Sequence, residues 1–101
     1  MPKLYEYLGV LVFFYSNEHE PIHVHGRHER REMRAELVVD EGEVVEIRFG
    51  PVRGREPLRP RERRHFETLV RARAADIVDK WIQHFVLHTP FKAEVITKRL
   101  T

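Results

Sequence analysis

The sequence has no cysteine, a single tryptophan, only four lysines and no apolar run longer than residues 10–15. Without cysteine there is no disulfide, no thiolate metal ligand and no cysteine nucleophile, so histidine is left as the strong nitrogen donor for site chemistry. The longest apolar run falls far below the ~20 residues of a membrane-spanning helix. The opening Met-Pro-Lys-Leu-Tyr-Glu lacks the regions of a secretory signal, so the expected location is the cytoplasm, with no membrane partner. Internal repeats, linkers and low-complexity stretches are also lacking. What is present, 42% hydrophobic and 10% aromatic residues in 101, makes one core, and residues 1–101 are expected to form a single domain.

The net charge of +2 conceals an uneven distribution. Between Arg48 and Arg64, seven arginines face only Glu56 and Glu62, and over the whole chain arginine outnumbers lysine 14 to 4. The planar guanidinium suits the forked geometry of phosphates and carboxylates better than an ammonium does. Arg53, Arg55, Arg59, Arg61, Arg63 and Arg64 are therefore candidates for contact with nucleic acid or an acidic partner protein. The competing reading is a solvated arginine-rich face without a ligand.

Residues 4–15 are rich in β-favouring side chains and interrupted by Gly9, which reads as strand, bend, strand. Pro21 introduces a short extended segment over residues 22–26, and residues 26–32 read as a mobile charged loop. Met33, Ala35, Leu37 and Val39 then alternate with polar positions, as do Val45, Ile47 and Phe49, so a hairpin is expected. A three-residue loop of Glu41, Gly42 and Glu43 would pair Val39 with Val45, Leu37 with Ile47 and Glu36 with Arg48. A loop of only Glu41 and Gly42 would set Leu37 against Glu46 and spoil both faces. Pro60 suits the first turn of a helix, and Glu62 complements its dipole. From Phe66 to Phe85 the apolar positions step by three and four, predicting one long amphipathic helix that ends near His88, before Pro90. Residues 91–100 are expected to be a last strand or an extended tail. The sum is an α+β fold: a small antiparallel sheet with one long helix packed on a face, and Leu37, Val39, Val45, Ile47, Trp81 and Phe85 in the core.

Four of the seven histidines, His19, His23, His25 and His28, fall within ten residues. On a strand His23 and His25 project from the same face, because side chains alternate with period two. A turn bent by Pro21 would return His19 or Glu18 toward them, giving a three-ligand set of Glu18 or His19 with His23 and His25 for a divalent transition metal. Zinc, iron, nickel and copper all accept imidazole and carboxylate donors, so spacing does not choose among them. Two further readings stay open: half-buried polar histidines bonded to backbone or carboxylates, and metal-free acid–base chemistry at a phosphodiester beside Arg27, Arg30, Arg31 and Arg34. The string His19-Glu20-Pro21-Ile22-His23 has the form of the zinc-protease motif but lacks the helix that motif needs, since Pro21 would break it. His84 and His88 sit one helical turn apart and read as helix-end residues, His65 as a solvated one, and Trp81 as a core anchor.

The stretch Phe14-Tyr15-Ser16-Asn17-Glu18-His19-Glu20-Pro21-Ile22-His23-Val24-His25, preceded by Tyr5-Glu6-Tyr7-Leu8-Gly9 and followed by a hairpin and a helix bearing Asp79-Lys80-Trp81, resembles a family of small bacterial proteins known only as a domain of unknown function. The resemblance spans nearly the whole chain and places the family's box on Asn17, Glu18, His19, Pro21, His23 and His25, and its helix tryptophan on Trp81. Many relatives read aspartate, histidine, asparagine, proline, proline over positions 18–22, so Glu20 stands outside the shared pattern. Members are often encoded beside a second small protein in an arrangement similar to a toxin–antitoxin pair. The resemblance implies a small toxin–antitoxin-like or accessory module with that neighbouring gene product as partner. It carries no activity, so whether the chain is an enzyme stays open. The alternatives are a nuclease-like phosphoester hydrolase and a non-catalytic interaction module, and exposed sheet edges make a homodimer a further expectation.

Overall fold

The computed structural model describes residues 2–15 and 21–100. Among the described residues six strands and two α-helices follow in the order β1 (Lys3–Tyr7), β2 (Val10–Phe13), β3 (His23–His28), β4 (Arg31–Asp40), β5 (Glu43–Pro51), α1 (Pro60–Ala72), α2 (Ala74–Trp81) and β6 (Glu94–Ile96). They build one six-stranded sheet in the spatial order β5-β4-β3-β2-β1-β6. The α+β class is as expected, but the sheet is mixed: β6 returns after the helices and runs parallel to β1, while the other four pairings are antiparallel.

Alternation divides each strand between two faces. Tyr5, Tyr7, Val12, Val24, Met33, Ala35 and Leu37 join Phe66, Leu69, Val70, Ile77 and Trp81 in one buried cluster, so the helices cover one face of the sheet. Gly26 lets them come close. A Cβ on it would lie 2.4 Å from the Phe66 ring, which occupies that space instead. Trp81 is buried as expected.

Four expectations need correction. The single long helix is two helices followed by a π-helical turn (Ile82–Val86) closed by Leu87 N–H donating to the Ile82 carbonyl. At Arg73 the backbone leaves the helical region, at φ −116° and ψ 18°, and its guanidinium reaches Glu94 of β6 at 3.7 Å. The apolar stripe runs on across this residue, so periodicity does not mark the break.

The charged stretch over residues 26–32 is not a loop. β3 continues through His28, turns at Glu29 and Arg30, and re-enters as β4 at Arg31. Nor is the β4–β5 loop three residues long: Asp40 pairs with Glu43 around Glu41 and Gly42, both at positive φ, a two-residue turn whose twist suits a hairpin. A bulge then inserts Val45, restoring the expected Leu37–Ile47 and Glu36–Arg48 pairs. In consequence Val39 and Val45, expected in the core, are exposed at 37% and 60%.

Candidate functional site

The face opposite the helices carries the site. His23 and His25 start β3 with ring centroids 5.2 Å apart, and the His23 ring, at the end of the strand, also meets Trp81 of α2 at 5.7 Å. Across the β3–β4 ladder His25 sits opposite Arg34, and Glu32 lies diagonally two residues away, within reach of a side chain. Glu32 Oε2 accepts hydrogen bonds from His25 Nδ1 at 3.1 Å and from the Tyr15 hydroxyl at 2.9 Å. The glutamate is fully buried, His25 is 6% exposed, and the His25 ring packs on Phe13 and Tyr15 at 5.6 and 4.5 Å.

These bonds decide the histidine tautomers. A carboxylate and a carbonyl oxygen only accept, so Nδ1 must carry the proton wherever it meets one. Nδ1 of His25 donates to Glu32, and Nδ1 of His23 donates to the Pro21 carbonyl at 2.8 Å. In the neutral imidazole the electron pair then resides on Nε2 of both rings. A ring held through one nitrogen by a carboxylate or a carbonyl is the second-shell pattern of metal-binding and catalytic histidines.

Positive charge flanks this group. Arg55 Nε approaches Glu32 Oε1 at 3.9 Å, an atom that is buried and makes no hydrogen bond among the described residues. Arg27 lies over the Phe13 ring at 5.2 Å. Burial, and then the hydrogen bond to Glu32, push the Tyr15 hydroxyl above its ordinary range, with Arg55 and Arg27 pulling the other way. Arg55 also lines a polar cleft of about 650 Å³ with Glu29, Arg30, Arg31, Gly54 and Glu56, where Arg31 is clasped by Glu56 at 3.0 Å.

Of the four expected metal-site residues, His23 and His25 are brought together, whereas Glu18 and His19 lie outside the described residues. No group of three or more His, Cys, Asp and Glu side chains with metal-site geometry occurs among the described residues. His23 opens a strand, which removes the helix that a zinc-protease motif requires. Arg53, Arg55 and Arg59 lie in the connection between β5 and α1, and Arg61, Arg63 and Arg64 in the first turns of α1. All six are exposed, with Arg63 held by Glu67 at 3.0 Å.

His65 is not solvated. It is buried against Tyr7, with ring centroids 5.7 Å apart. Burial first, then Arg99 and Arg61, hold it below its ordinary pKa. His84 packs among Phe14, Phe85 and Phe91, and His88 follows the π-helical turn at positive φ. Sequence reasoning missed Glu32 and Tyr15 as site residues. The signal for Glu32 was the Met33–Leu37 alternation, which when extended back one residue puts position 32 on the polar face with His25.

Residues 9–82 match a family described as a domain of unknown function. The chain belongs to the DUF4160 family. The DUF4160 segment starts in the β1–β2 turn and ends just past Trp81, so it contains His23, His25, Glu32, Tyr15 and the whole arginine-rich connection, and excludes β1 and β6. No curated protein and no solved structure matches this DUF4160 chain. No helix among the described residues is long and apolar enough to cross a membrane.

Proposed function

We propose that this DUF4160 protein is a small accessory module of the toxin–antitoxin type whose histidine box binds a divalent transition metal. His23 and His25 would ligate through Nε2, with Glu18 or His19 completing the set. The observation that carries this reading is the shared fixing of both imidazoles through Nδ1, one by the Pro21 carbonyl and one by a fully buried carboxylate. Burying a carboxylate is costly unless it is bonded, and here its bonds serve to aim a histidine. The exposed Arg53, Arg55, Arg59, Arg61, Arg63 and Arg64 would meet nucleic acid or an acidic partner, such as the product of a neighbouring gene.

The test is elemental analysis of untagged protein beside His23→Ala plus His25→Ala. Near-stoichiometric zinc, iron, nickel or copper that vanishes in the variant is expected, and absence of metal from the wild type even after reloading overturns the reading. Contact with nucleic acid through the arginines predicts binding that weakens steeply with salt, because each neutralised phosphate releases counterions.

A second reading, phosphoester hydrolysis, is favoured by the Glu32–His25 pair with Arg27 and Arg55 nearby, since a carboxylate-held imidazole acts as a base while guanidinium groups hold a phosphate. RNA cleavage by the wild type and not by the double variant supports it. Equal cleavage by both refutes it.

A further inference from the structure

β5 is an edge strand, with β4 as its neighbour on one side and the row of outward backbone groups on the other. The opposite edge of the sheet is the three-residue β6, whereas β5 runs for nine. Two features shorten the usable part of this edge, the bulge at Val45 and Pro51 at its end. What remains between them is Glu46-Ile47-Arg48-Phe49-Gly50.

That segment is complementary to itself. In an antiparallel pair of two β5 strands related by a two-fold axis at Ile47, Ile47 lies opposite Ile47 of the other copy and Glu46 opposite Arg48, twice. Val45, the bulge residue, is 60% exposed and lies just outside this segment. Glu46 and Arg48 stand on the same face of their strand and already pair within the chain at 2.7 Å. Doubling the strand would set four charges of alternating sign side by side, at the cross-strand spacing where opposite charges stabilise and like charges do not. Shifting the register by two residues would place Glu46 opposite Glu46 or Arg48 opposite Arg48, so charge selects the register centred on Ile47. On the helix-covered face, Ile47 lines an open groove with Val44, Arg71 and Ala74, and the second strand would extend the sheet beside it.

We infer that this edge binds a second copy of the chain, joining two six-stranded sheets through antiparallel β5 strands centred on Ile47. A two-fold axis perpendicular to the sheet keeps the helices of both copies on one side and the face that carries His25 and Glu32 on the other. The inference does not depend on metal binding.

Two experiments test it with the untagged full chain. Sedimentation equilibrium across a wide concentration range is expected to show a monomer–dimer equilibrium. Glu46→Arg should shift it strongly to monomer, as should Arg48→Glu, and the double exchange Glu46→Arg with Arg48→Glu should bring the dimer back. Both side chains are exposed, so circular dichroism should report unchanged folding in all three variants.

The chain has no cysteine, so single introduced thiols report the register. Opposed residues in an antiparallel pair have Cα atoms about 4.5 to 5.5 Å apart, within disulfide range. Ile47→Cys should therefore oxidise to a covalent dimer, and Val45→Cys, about 13 Å from its own counterpart, should not. A wild type that stays monomeric at every concentration overturns the inference. So does a dimer indifferent to both charge reversals, or one that cross-links through Val45→Cys and not through Ile47→Cys.

Discussion

Gly26→Ala is expected to destabilise the fold, and the magnitude follows from one contact. The added Cβ would lie 2.4, 2.6 and 2.8 Å from three carbons of the Phe66 ring. Carbon atoms settle at about 3.5–4.0 Å, so more than about 1 Å of overlap must be relieved. The ring has nowhere to go: Phe66 is fully buried and meets Phe49 edge-on at 5.8 Å. Overpacking of this kind costs about 1–3 kcal/mol. Alanine recovers about 0.5–1 kcal/mol of the entropy that glycine loses in a strand. With three ring carbons overlapped, the upper end of the range applies, leaving a net loss of about 2 kcal/mol. For a domain near 100 residues that lowers Tm by about 8–16 °C. Thermal and urea melts of Gly26→Ala, Phe66→Leu and the double variant form a cycle in which the smaller side chain should relieve part of the penalty. An unchanged or raised Tm for Gly26→Ala would refute the close packing of α1 on β3, because an ordinary strand glycine gains stability on becoming alanine.

Glu32→Ala should cost about 2–5 kcal/mol, since it strands the buried His25 Nδ1–H and the Tyr15 hydroxyl, while Tyr15→Phe, which removes one donor, should cost about 1 kcal/mol. Urea melts check both, and equal losses would show that Glu32 does not join the two. Glu32→Gln should weaken metal binding about 10–100-fold by loosening the second shell of His25, read by competition with a chromophoric chelator. His65 sets a pH dependence. Its folded pKa lies below the unfolded value of about 6.5, so the unfolded chain takes up the proton first. Stability should be complete above that value and fall as pH drops toward the folded pKa. Arg61, Arg64 and Arg99 around the ring act in this direction and Glu62 against it. His65→Gln should flatten the slope between neutral and mildly acidic melts, and an unchanged slope would remove His65 as its source.

The hairpin and the helices show what a sequence makes legible. Alternation over Met33–Val39 and Val45–Phe49 specified the Glu36–Arg48 and Leu37–Ile47 pairs, because a one-residue slip would turn every side chain to the wrong face. The turn itself holds only Glu41 and Gly42, not the three residues expected, and it coexists with those pairs because one strand carries an extra residue, Val45. Residues 27–32 concealed their strands because a run of arginine, histidine and glutamate has the composition of a solvated loop. Here Arg27 and Glu32 belong to the face away from the helices, while His28 and Arg31 pair at the end of the ladder and Glu29 and Arg30 form the turn. Losing that register hid Glu32, so the histidine pair was readable from spacing and its carboxylate was not. The break at Arg73 left no trace, since neither proline nor glycine marks it.

As Nδ1–H tautomers, His23 and His25 would both present Nε2 to a common ligand. Long-range ¹H–¹⁵N NMR of the imidazoles, before and after Zn²⁺ is added to untagged protein, tests it most directly. The Nδ1–H pattern is expected for both rings at neutral pH, with a shift of both Nε2 resonances at one equivalent of zinc. An Nε2–H tautomer at either histidine, or Nε2 resonances unmoved by saturating zinc, would contradict it.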